Sequence, residues 1–232
     1  MQSLHDSLWS TIARGGVRPL HVAPKYRDLE SSPTLSPRMR IRNSFWYRHD
    51  EIRKVHLEYA QIEPHGMEIV HLVAYPEPTV DLPILGVDVV AVDGRVSMCI
   101  ADPTPSTMDL TLPVEYAHGV DALAMRHGIR DLTRSYPRDP PDWGSEIFGP
   151  YCVLMAECPL DSFTPYALDI VEHHLMYPTG ASRNVEDTSR ALRRYSRQQR
   201  KNQKTQNMLR ACFGDVFAKD YMATVMFDST GL

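Results

Sequence analysis

The chain is poor in cysteine and uses it without pattern. Cys99, Cys152, Cys158 and Cys212 are its only four, and no two form a CxxC pair. That argues against a zinc ribbon or a disulfide framework and suits a reducing compartment, so a cytoplasmic location is expected. No apolar run reaches the roughly 18 residues that a membrane helix needs. The start, MQSLHDSLWSTIARGG, has neither a basic region nor a cleavable apolar core, which argues against a secretory signal. His pairs at HxxxH or HxH spacing are missing, so no metal site is expected. Repeats and low-complexity tracts are missing as well.

What is present is a globular composition. Of 232 residues, 43% are hydrophobic, enough for a sizeable core. One domain over 1–232 is expected, with 1–36 as a short amphipathic helix followed by an irregular Pro- and Ser-rich stretch. Strand-like runs follow: MRIRNSFWYR, IRKVHLEYAQI, MEIVHLVAY, PILGVDVVAV and RVSMCIA. Asp93-Gly94 is a two-residue hairpin signal, and short connections imply an antiparallel meander. From about residue 114 helices dominate, with one more strand at YCVLMAE. A long polar helix is expected over roughly 186–212 and a short one over 215–226. Strands first and helices later predict an α+β fold, with helices packed over an antiparallel sheet.

Three successive apolar runs each carry ionisable residues. They are His56 and Glu58 in VHLEYA, His71 in MEIVHLVAY and Asp88 in ILGVDVVAV. Strand alternation puts His71 on a face with Met67, Ile69, Val73 and Tyr75, and Asp88 on a face with Ile84, Gly86 and Val90. A turn centred near Thr79 and Val80 would set His71 opposite Asp88. Apolar flanks predict a buried Asp88 that prefers its neutral form and titrates jointly with the imidazole. Such a pair can donate protons near neutral pH. Gly86 would leave room for a ligand on the sheet. A single buried His or Asp is more often an ordinary core group; several on one face point towards proton chemistry. The adjacent His173-His174 reads as solvated surface.

Between Arg190 and Lys204 lie seven Lys and Arg and no acid, in a chain whose net charge is −4. This asymmetry attracts an anionic partner. Nucleic acid is the generic candidate, but no nucleic-acid motif accompanies the patch; an acidic protein or a carboxylate-bearing small molecule fits as well. Arg138, in YPRDPPDWGSEIF, sits in a rigid loop suited to a carboxylate clamp.

From about residue 39 onward the chain resembles the ferredoxin-dependent bilin reductases, most closely the phycocyanobilin-forming members. The segments that carry the likeness are HLEYA, IVHLVAYPEPTVDLPILGVDVVA, EIFGPYC and QQRKNQKTQNMLRACFGDVFAKDYMATVMFD. The resemblance implies a three-layer α/β/α sandwich with a central antiparallel sheet. It implies reduction of biliverdin IXalpha to phycocyanobilin or phycoerythrobilin through bilin radicals. Electrons would come from reduced ferredoxin, with no cofactor bound by the enzyme itself. By position, His71 and Asp88 match the proton-donating pair, Glu58 the carboxylate for D-ring vinyl reduction, and His56 a nearby histidine. Arg138 and Lys204 match residues near the propionates. Ser97, Gln199 and Asn202 match further pocket positions. The basic face near 190–204 would dock acidic ferredoxin, and a monomer without nucleic-acid or membrane partners is expected. The compact N-terminal region is like that of phage-borne members. One departure is Gln203, where the family commonly has Asp; an amide cannot act as a proton donor in the way a carboxylic acid does. Two alternatives stand beside four-electron reduction: a two-electron stop at a dihydrobiliverdin, and a non-catalytic bilin carrier.

Overall fold

The structure, a computed structural model, describes residues 1–32, 34 and 37–229. The part of the expected irregular stretch at 33, 35 and 36 lies outside the described residues. Helix α1 (Gln2–Arg14) leads into two short strands, β1 (Arg18–Pro19) and β2 (Asp28–Glu30), in a region expected to be irregular. Both pair with β3 (Arg38–Arg48), capping that edge of the sheet. The meander then runs through β4 (Ile52–Glu63), β5 (Met67–Pro76), β6 (Ile84–Val92) and β7 (Arg95–Thr104). Asp93 and Gly94 turn between the last two at φ 49° and 75°, the left-handed pair that a tight hairpin demands. Helices α2 (Val114–Arg126) and α3 (Ile129–Ser135) precede the last strand, β8 (Val153–Met155). After it come α4 (Leu160–Met176), α5 (Val185–Gln199), α6 (Gln203–Phe213) and α7 (Asp215–Tyr221), then a wide π turn over Met222–Met226. Every strand pairing is antiparallel.

Alternation along the strands divides the core in two. Val55, Leu57, Val70, Leu72, Val87 and Val89 face α1, α2 and α4 through Leu8, Tyr116, Phe163 and Ile170. Ala60, Ile62, Val73, Tyr75 and Ile84 face the opposite layer of α5 to α7 through Leu192, Tyr195, Leu209 and Tyr221. The architecture is an α/β/α sandwich. No helix among the described residues is long and apolar enough to cross a membrane.

Two further sequence-based expectations change. The helix expected over 186–212 is two helices, because Asn202 acts as a cap: its side chain accepts from Thr205 N at 3.4 Å, and a new helix begins there. The basic window therefore bends, with Lys201, Gln203 and Lys204 at the bend. His174 is not solvated surface. It is buried against the Tyr116 hydroxyl at 3.0 Å, and burial pushes its pKa down to about 3.

Candidate active site

The register of β4, β5 and β6 sets Glu58 opposite His71 and His71 opposite Asp88; on the outer side, Asn43 of β3 sits opposite Glu58. One row of polar side chains thus crosses four strands on the face covered by α5 to α7. Above it lies a cavity of about 490 Å³, within the approximate 300–1,000 Å³ span of small-molecule sites. Glu58, His71 and Asp88 form its floor with apolar neighbours such as Ile69, Val90 and Ile100. Trp143 and Phe148 form one wall, their rings 5.6 Å apart. Met226 and Phe227 form another, and Lys201, Asn202, Gln203 and Lys204 roof it at the bend between α5 and α6.

His71 donates from Nδ1 to Asp88, which leaves Nε2 buried without a protein partner. Burial opposes charge on His71, but the Asp88 carboxylate beside it and Glu58 outweigh that, and its pKa is raised. Glu58 is enclosed, and burial raises its pKa against the opposing pull of His71 and Tyr221. Asp88 differs from expectation. Its side chain is 30% exposed, because the cavity opens directly over it. The acid enclosed by burial is Glu58 instead. Gly86 does not leave ligand space either: a Cβ there would lie 3.5 Å from the Tyr195 hydroxyl, which covers that spot.

Arg138, Gln199, Asn202 and Lys204 line the cavity. Arg138 is exposed and donates to the Ser97 carbonyl at 3.2 Å. His56 and Ser97 do not line it. His56 lies buried beside the row, stacked on Phe45 at 4.7 Å, with burial and then His71 driving its pKa well down. Ser97 is the extra residue where the register of β6 and β7 shifts, and its hydroxyl turns back to the Val90 carbonyl at 3.2 Å. Sequence reasoning missed the walls. Trp143 and Phe148 carry the signal of aromatics in a Pro-rich loop, whereas Phe227 has none until the chain end folds back. Its ring meets His71 edge-on at 5.8 Å.

That chain end is tied down by a buried polar cluster. Arg53 and Lys54 both pair with Asp228. Lys54 also donates to the Val225 carbonyl at 2.7 Å, Tyr75 to that of Met226 at 2.9 Å, and Ser196 to that of Asp228 at 2.8 Å. Burial lowers the Lys54 pKa to about 8 despite Asp228.

A second buried acid lies outside the cavity. Asp102 accepts from Thr104, its Oδ1 has no partner, and burial raises its pKa to about 7. In the unfolded chain it returns to about 3.8. Its contribution to folding is therefore fully present below the unfolded value and is lost as pH rises towards 7. Asp102→Asn removes that loss. We expect it to stabilise the fold by roughly 2–4 kcal/mol at pH 8 and by little at pH 4, as measured by urea unfolding at the two pH values.

A sheet floor carrying acids and imidazole, aromatic walls and a cationic roof define a pocket for a flat, conjugated, anionic molecule. The chain belongs to the ferredoxin-dependent bilin reductase family, whose model matches residues 5–228. It is thus an oxidoreductase acting on bilins. Among individual proteins it is similar to the phycocyanobilin:ferredoxin oxidoreductase of Trichodesmium erythraeum, at 32% identity over 79% of this chain and 74% of that one. It is also similar to that of Synechococcus elongatus, at 33% identity over 82% and 77%. In fold it matches the crystal structure of tomato phytochromobilin synthase in complex with biliverdin, with a TM-score of 0.76 at 16% identity over 98% of this chain and 82% of that one.

Proposed function

We propose that this enzyme reduces biliverdin IXalpha by four electrons to a phycobilin, either phycocyanobilin or phycoerythrobilin, with electrons from reduced ferredoxin. The observation that carries the reading is the row Glu58–His71–Asp88 on the floor of a cavity of about 490 Å³ that basic residues also line. Electrons delivered singly make bilin radicals, and each radical needs a proton. Asp88 and His71 share one across their hydrogen bond, in contact with the pigment space. Glu58, one strand away and with its pKa raised by burial, serves the second reduction. Arg138 and Lys204 pair with propionates, while Gln199 and Asn202 contact the pigment from the roof. His56 and Ser97 act from behind. Exposed Arg193, Arg197 and Lys201 offer acidic ferredoxin a docking face. Lys201 also lines the cavity, so the proposed docking face adjoins the pigment space.

A two-electron stop is the second reading. Gln203 favours it, because an amide stands in the roof where the family commonly carries an acid. The test is an anaerobic reaction of biliverdin with the protein, ferredoxin and a ferredoxin reductase, with products separated by chromatography. A phycobilin supports the four-electron reading and a dihydrobiliverdin the second. A shifted biliverdin spectrum with unchanged conjugation would reduce the protein to a carrier and overturn both.

A further inference from the structure

Tyr221 is fully buried at the end of α7, with its hydroxyl between two oxygens of the sheet. It lies 2.7 Å from Glu58 Oε2 and 3.0 Å from Asn43 Oδ1. The hydrogens available to this group can be counted. Asn43 donates from Nδ2 to the Tyr26 carbonyl at 2.7 Å, which fixes its Oδ1 as the end facing Tyr221. His56 Nε2 lies 2.8 Å from the same Oδ1, so it must carry a hydrogen and donate. His56 Nδ1 then has no partner, consistent with a neutral ring.

Tyr221 has one O–H and two oxygen neighbours. If Glu58 is a carboxylate, Tyr221 donates to it and leaves its own oxygen facing the Asn43 oxygen at 3.0 Å with no hydrogen between them. If Glu58 carries a proton, every contact is satisfied: Glu58 donates to Tyr221, and Tyr221 donates to Asn43. Buried polar atoms favour the arrangement in which all are paired.

We propose that Tyr221 is a positioning residue that holds the proton of Glu58 in place, accepting from the carboxyl while its own hydroxyl is committed to Asn43. This rests on the reading of Glu58 as the second proton donor and adds the group that loads it. When the Glu58 O–H bond breaks and the proton bonds to a pigment radical anion, made by one electron from ferredoxin, a carboxylate remains. The Tyr221 O–H then turns from Asn43 to Oε2 and stabilises that charge, and reprotonation from solvent restores the start. Tyr221 is not itself the donor: burial and then Glu58 hold its pKa well above that of a free phenol. The ionisable groups facing Glu58 are His56 and His71 on its own face of the sheet, Asp88 beyond His71, and Tyr221 from the helical layer.

The experiment is infrared difference spectroscopy of the whole protein, without pigment, against Glu58→Gln. We expect a protonated-carboxyl carbonyl band at pH 7 that Glu58→Gln removes and that Tyr221→Phe moves to another frequency. In turnover, Tyr221→Phe should slow the second reduction by about tenfold or more and leave the first intact, so a dihydrobilin accumulates. No such band in the wild type, or one at the same frequency in Tyr221→Phe, overturns the proposal. Should Tyr221→Phe not fold, Asn43→Leu is read in its place: it takes away the acceptor of the Tyr221 hydroxyl, so the Glu58 band must move, and an unmoved band overturns the proposal. The spectra need no turnover. Correct bands without biliverdin reduction would sink only the functional reading, and reduction without the band would sink only this one.

Discussion

Asp88→Asn should bind biliverdin and fail to reduce it. The amide keeps the shape of the side chain and can still accept from His71 Nδ1, so the cavity floor stays assembled. It has no proton to give. It also removes the largest of the charges that work against burial in raising the His71 pKa, so the imidazole holds its proton less firmly. One replacement therefore weakens both members of the pair. General acid catalysis is worth about 10²–10⁴-fold, and the loss in turnover should fall in that range. Under anaerobic conditions with reduced ferredoxin the pigment still receives an electron, so a bilin radical should persist in the electron paramagnetic resonance spectrum. Turnover at the wild-type rate would show that the proton enters elsewhere.

The second large effect is on the fold. Asp228→Ala leaves Lys54 and Arg53 buried beneath the chain end without their anion. Breaking a buried pair in this way costs about 3–5 kcal/mol, and urea unfolding should show a loss of that size. Lys54→Met should cost less, because Arg53 remains to pair with Asp228. A double replacement, Lys54→Met with Asp228→Leu, should recover part of the loss, since the more deeply buried of the two stranded cations goes with the acid and Arg53 alone is left without its partner. A loss under 1 kcal/mol in Asp228→Ala would mean that water reaches the cluster. The damage should also extend to binding. Met226 and Phe227 wall the cavity and hang on the same anchors, so a loosened chain end should weaken the affinity for biliverdin.

Much of this was legible in the sequence. Alternation fixed the faces of β4 to β6, and a Pro-rich connection of known length fixed the pairing of His71 with Asp88. Hairpin chemistry at Asp93-Gly94 located a turn to the residue. What failed depended on groups brought in from far along the chain. Gly86 looked like ligand space until Tyr195 arrived from α5 to cover it. The apolar flanks of Asp88 foretold burial, yet what lies over that residue is a cavity left between α6 and the loop holding Trp143. Local pattern reports which face a side chain takes and is silent about what covers that face. The break at Asn202 was misread for a related reason: one cap outweighs helical periodicity on both sides of it.

The row across β4, β5 and β6 also acts as a ruler. Neighbouring strands lie about 4.8 Å apart, so Glu58 and Asp88 are separated by roughly 10 Å. Their reach is set by backbone spacing, which side-chain replacement leaves untouched. In the proposed reaction, a long chromophore laid crosswise to the strands meets two acids at two distant carbons without sliding. Substitution around these positions can therefore retune how strong each acid is while its address stays the same, so in the proposed reaction the double bond attacked would change by turning a donor on or off rather than by reorienting the guest.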